Sequence, residues 1–254
     1  MKTILIVLIV LVFPIRFSIK RSDIKAKNNY YNSFLLPTTP SSMEEKWESF
    51  MLYRMKQIEK KSGIYFTYGW VPRVKFEIPS SIQYPDQFPG CYDQETRSFF
   101  INPALLSRDI ETMQEFIDHE LGHALADQVS YKFRNYPWPE ELDMKSLDDD
   151  IRISTKILSE GVAEYFANLF YENVKTSPDW LPSGYEMRYL MTRYSKDNTW
   201  PYDGGHFIVE PIIEQYGESG LMYIIAHKFS FENGDIRNAG ILYQQTALRK
   251  LGEK

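Results

Sequence analysis

The chain has 254 residues, 43% of them hydrophobic, 15% aromatic and 25% charged, which suffices for a core in one large domain or two lobes around a cleft and excludes extended disorder. The formal net charge of -5, with no lysine or arginine cluster interleaved with aromatics in the folded part, argues against nucleic acid as a partner. A lone cysteine, Cys91, excludes an intrachain disulfide, and with Gly90 and Tyr92 beside it the residue reads as a small buried hydrophobe, not a nucleophile.

Lys2 precedes an unbroken apolar run from Ile4 to Phe13 that ends at Pro14. Such a run is too short for a bilayer-spanning helix, which needs about twenty residues, and it has the form of a signal-peptide core. No small-x-small cleavage site follows, and the flank Arg16, Lys20, Arg21, Lys25 and Lys27 is more basic than the start. Residues 1–17 are therefore expected to be a signal peptide or a retained N-terminal anchor, with the remainder exported: secreted, periplasmic or held on the outer side of the cytoplasmic membrane. An anchor would bring membrane association with it. Residues 18–40, polar and basic and closing on Pro37-Thr38-Thr39-Pro40, read as a tether.

Residues 41–254 form the expected folded domain. Ser42-x-x-Glu45 is a capping box, and Trp47, Phe50, Met51, Arg54 and Ile58 follow at helical spacing until Gly63, which predicts a helix over about 43–61. Val74, Phe76 and Ile78 alternate with Arg73, Lys75 and Glu77 as in a half-buried strand. After loop chemistry over 84–90, Cys91-Tyr92, a turn over 93–96, and 98–102 read as a hairpin ended by Pro103. Asp109 is the expected N-cap of a helix that runs through Met113, Phe116, Ile117, Leu121 and Leu125 to about Ser130. Residues 131–150 are aromatic, proline-bearing and then acidic; Asp148, Asp149 and Asp150 read as favourable charge at a helix start, without the spacing of a calcium loop. Helices over about 151–173, 206–216, 219–229 and 235–252 follow. The fold class is thus α+β, with a small mixed or antiparallel sheet lobe carrying the motif helix (41–130) and a mostly helical lobe after it (131–254).

The motif is His119-Glu120-Leu121-Gly122-His123. Helical residues four apart share a face, so the two imidazoles can converge on one metal ion, while Glu120, about 100° round the helix, can take a proton from a water that the ion activates. The surrounding apolar residues bury this helix, and burying two histidines and two acids without a shared partner would be costly. Downstream, Ser159-Glu160-Gly161-Val162-Ala163-Glu164 offers two carboxylates one turn apart, one to ligate the ion and the other to hold a ligand histidine. Position 129 is valine, which excludes a third histidine six residues after His123.

The stretch 158–166, Leu-Ser-Glu-Gly-Val-Ala-Glu-Tyr-Phe, resembles the second motif of gluzincin metallopeptidases, the thermolysin and aminopeptidase group. The resemblance, which covers about 88–225, implies a zincin-like fold, one catalytic Zn2+, Glu160 as third metal ligand and Glu164 as support for His119. Asp127 matches an acid of thermolysin-like sequences, and also fits an exposed helix carboxylate. The 36 residues between His123 and Glu160 are about twice the aminopeptidase spacing; the longer gap is similar to that of bacterial exported proteins with a peptidase MA-like domain. Tyr202-Asp203-Gly204-Gly205 resembles the tyrosine-x-x-glycine helix start of the aminopeptidase group, which implies Tyr202 as oxyanion stabiliser, with His206 one turn on as the second candidate. Zinc-dependent hydrolysis of a peptide or protein substrate is the expected activity, with residues 98–102 as the sheet edge that receives an extended chain. A zinc amidase acting on cell-wall or other non-protein amides, and an exported zinc-containing binding protein without turnover, stay open beside it.

Overall fold

The computed structural model describes residues 42–80, 89–139, 149–171, 176–181, 200–231 and 235–253; the expected leader and tether lie outside them. Helix α1 spans Met43–Ser62, with the Ser42 side chain accepting from the Glu45 N–H and Gly63 closing it in the left-handed region. It buries Trp47, Met51, Arg54, Met55 and Ile58. Three short strands follow, β1 (Arg73–Lys75), β2 (Gly90–Asp93) and β3 (Ser98–Ile101), in the order β1-β3-β2. β1 pairs with β3 in parallel and β2 with β3 antiparallel, so the sheet is mixed.

Two expectations change here. The strand predicted over 73–78 stops at Lys75, which pairs with Phe100; β3 ends one residue later at Ile101, so it offers no partner to Glu77 or Ile78. β3 is also the central strand and not an edge, since β1 and β2 flank it; the free edge among the described residues beside the motif helix belongs to β2.

The chain then makes two 3-10 turns, Pro103–Ser107 and Ile110–Met113, before α2 (Gln114–Arg134). Asp109 does start the helical path, through its backbone carbonyl, which accepts from Thr112 N–H, but the α-helical part begins at Gln114 and runs on to an Asn135 cap in the left-handed region. α3 (Asp149–Asn168) ends five residues before the expected 173. α4 (Trp200–Ala226) starts six residues before the predicted 206 and is two helical pieces meeting at a kink at Gly217, whose backbone is non-helical, where the helices predicted over 206–216 and 219–229 part; α5 (Ile236–Gly252) follows. The protein is therefore α+β, mostly helical with one small mixed sheet. α3 packs between α2 and α4, and one hydrophobic cluster runs from Trp47 in α1 to Ala247 in α5. No described helix is long and apolar enough to cross a membrane.

Candidate metal centre

Helix α2 places His119 and His123 one turn apart, with ring centroids separated by 4.9 Å. From α3, Glu160 Oε2 lies 3.4 Å from His119 Nε2 and 3.6 Å from His123 Nε2. The three ligand atoms all fall within 4.8 Å of one another. A tetrahedral ion with bonds of about 2.0–2.2 Å holds its ligands about 3.3–3.6 Å apart, so the donor types and the two distances from Glu160 to the histidine nitrogens suit such an ion. These three residues could hold a metal.

Small residues let the helices approach closely enough for this. A Cβ on Gly122 of α2 would sit 2.8 Å from Ala163 Cα of α3, and one on Gly161 of α3 would sit 2.3 Å from the Gly205 carbonyl carbon of α4. Contact at Gly161 and Gly205 also brings Tyr202, three residues before Gly205, against His119 at a ring separation of 5.6 Å. Burial, reinforced by the fields of Glu160, Glu120 and Glu164, holds the Tyr202 phenol well above its usual pKa, so it remains a neutral hydroxyl.

The far nitrogen of His119, Nδ1, lies 3.4 Å from Glu164 Oε2, while Asn168 Nδ2 donates to the other Glu164 oxygen at 2.7 Å. Burial alone would depress the His119 pKa; Glu160 and Glu164 overcome it and lift the metal-free imidazole to about 10. Glu160 responds in the opposite sense: burial would raise it, but the two histidines hold it well below the carboxylate range. Glu120 Oε2 accepts the backbone N–H of Tyr92 at 2.7 Å, and burial, only partly offset by His123 and His119, raises its pKa. A carboxylate so raised is better matched to proton transfer near neutral pH.

Asp127 is fully buried, which removes the exposed reading of that residue. Its oxygens accept from the Tyr92 hydroxyl at 2.9 Å and the Trp138 N–H at 3.2 Å, and neither faces a ligand histidine. His206 is buried, with Nε2 3.6 Å from Glu210 Oε1 and its ring beside Tyr165, outside the three-residue group. Cys91 is half-buried, and burial together with Glu120 and Asp93 raises its thiol pKa, so it is not a nucleophile.

Three contributors were not assigned from the sequence. Ser159 places its hydroxyl 3.4 Å from His123 Nδ1, and its position next to Glu160 was the available signal. Lys156 is buried one turn before Glu160, whose carboxylate opposes the burial that depresses the amine; its i−4 spacing was visible. The Tyr92 amide had no side-chain signature at all. No protein-family model, curated protein or solved structure matches the chain.

Proposed function

We propose that the chain is a zinc-dependent peptidase of gluzincin-like arrangement, exported by its N-terminal apolar segment. The observation that carries this reading is the convergence of His119, His123 and Glu160 on one ion-sized gap, with the Glu120 carboxylate fixed beside it by the Tyr92 amide. Zinc bound there would supply Lewis acidity, acidifying a water and polarising the scissile carbonyl.

The chain's own residues do the rest. Glu120 takes a proton from the attacking water and returns it to the leaving amine. Its burial and its hydrogen bond to a rigid strand keep it aimed at one place. The neutral Tyr202 hydroxyl donates to the oxygen on which negative charge develops. In the β2–β3 ladder Asn102 N–H donates to the Pro89 carbonyl, which alternates the pairing so that the Gly90 N–H and carbonyl and the Tyr92 carbonyl turn outward, while the outward Tyr92 N–H is taken by Glu120. An extended substrate backbone would pair along that outer edge of β2, which gives affinity with limited demand on sequence.

Elemental analysis of the purified protein, beside digestion of a mixed peptide library and of cell-wall material, tests the reading. One zinc per chain and peptide cleavage are expected. Glu120→Gln should keep the zinc and lose about a thousandfold or more in kcat. Full activity in that variant would sink the mechanism, cleavage of cell-wall amides alone would move the substrate class, and absence of zinc would remove the site.

A further inference from the structure

Tyr92 is tied to α2 at both of its polar ends. Its amide donates to Glu120 at 2.7 Å and its hydroxyl to Asp127 at 2.9 Å. These acceptors are seven residues apart, two turns along the same helix face, so the tyrosine side chain lies along the helix like a strut. Asp127 is completely buried, and its second oxygen accepts the Trp138 N–H. The Trp138 carbonyl in turn accepts from Gln94 Nε2, at the turn that follows β2. The ring packs on Phe99 of the central strand at 5.2 Å. Every route by which β2 could slide along α2 therefore breaks a hydrogen bond to a buried group, which is costly.

From this geometry we propose that Asp127 and the Tyr92 hydroxyl are positioning residues, which act through the Tyr92 amide to set where the Glu120 carboxylate stands. Neither hydrogen-bonds to any of the three candidate ligands. The Glu120 carboxylate is held from another element, β2, through the Tyr92 amide. A buried acid two turns away fixes the strand that holds it. A misplacement of the base by about 1 Å costs on the order of a hundredfold in rate, so small movements of β2 matter.

The kinetic arm of the test rests on the hydrolytic reading above; the spectroscopic arm does not. Cys91 is the sole cysteine, so carbonyl-13C cysteine combined with 15N tyrosine leaves one doubly labelled peptide bond in the full chain, Cys91-Tyr92, and one amide resonance. An amide donating to a carboxylate resonates far downfield, and Glu120→Gln should move it upfield. Asp127→Asn and Tyr92→Phe, the latter with 15N phenylalanine, should displace the same resonance although neither alters the amide or its acceptor. Both should lower kcat about ten- to a hundredfold at unchanged zinc content, and the double variant should be no worse than Asp127→Asn alone, since Tyr92→Phe removes a contact that Asp127→Asn already disrupts. An amide unmoved in Asp127→Asn and Tyr92→Phe overturns the proposal, and so does a moved amide with unchanged kcat in protein that cleaves peptides. If the resonance moves as stated but the wild type cleaves nothing, the strut stands and the hydrolytic reading falls.

Discussion

Asp118 and His119 are adjacent on α2, yet their surroundings differ in kind. Both Asp118 oxygens are filled by one guanidinium, Arg54 Nε at 2.8 Å and the Nη2 at 2.6 Å, and that guanidinium lies on the Phe170 ring at 4.1 Å. The pair is complete as it stands. Around His119 the Glu160 carboxylate stops at 3.4 Å from Nε2, longer than the 2.7–2.9 Å or so of a strong charge-assisted hydrogen bond but correct for two ligands of one small ion. Burial and charge are common to both clusters, so neither marks a functional site. Spacing does: one set of polar groups closes on itself and the other leaves room for a cation.

The largest expected effect tests whether the two clusters are independent. Arg54→Met leaves Asp118 buried without its counter-ion and should destabilise the fold by about 3–5 kcal/mol in chemical denaturation. Adding Asp118→Leu should restore most of that loss, because an apolar pair of similar volume needs no counter-ion. In both variants the folded fraction should bind zinc as the wild type does. Parallel loss of stability and of zinc stoichiometry would show the two clusters to be one unit.

A smaller effect comes from metal removal. The His119 imidazole, lifted to about 10 by Glu160 and Glu164 against burial, is protonated more readily when folded than when unfolded. Its contribution to stability is complete below the unfolded value near 6.5 and is lost as pH rises toward 10. The thermal midpoint of chelator-treated protein should therefore fall between pH 6.5 and 10 more steeply than that of His119→Gln under the same treatment. Taking the difference removes Lys156, whose depressed pKa works in the opposite direction. Zinc-loaded protein should lack this slope, since a ligating imidazole is neutral in either case. Equal slopes for wild type and His119→Gln without metal would mean that the carboxylates do not favour the protonated ring.

How far each cluster could be read from the sequence follows from the range of its contacts. His119 and His123 meet through helical periodicity, a local property. Glu160 was reachable because a second short motif resembles a known one. Arg54 and Asp118 are 64 residues apart with nothing in either segment to couple them. The Tyr92 contact with Glu120 depends on how β2 lies against α2 and uses a backbone group, which has no residue identity. The same limit explains the strand errors: alternation over 73–78 shows which residues could form a strand, whereas the length and order of the strands are set by β3, which supplies the partners and ends before Pro103. Asp127 lost its exposed reading because the Tyr92 hydroxyl and the Trp138 amide cover it, again by chain brought from elsewhere.

The smallest effect separates the two histidines. His119 Nδ1 faces the Glu164 carboxylate, and His123 Nδ1 faces only the Ser159 hydroxyl, both at 3.4 Å. A carboxylate behind a ligand histidine fixes the ring and increases its basicity, and removing such support typically costs about 10–100-fold in metal affinity. A neutral hydroxyl at that distance is near the limit of a hydrogen bond and adds little basicity. Glu164→Gln should therefore weaken zinc binding by about 10–100-fold in competition with a chelating dye, and Ser159→Ala by less than about tenfold. In the proposed site Glu164 faces the His119 ring and is not one of the three candidate ligands, so its variant should keep full zinc stoichiometry at saturating metal, whereas Glu160→Ala should not. Equal losses in Glu164→Gln and Ser159→Ala would mean that ring orientation alone sets the affinity, and that the charge of Glu164 contributes nothing beyond it.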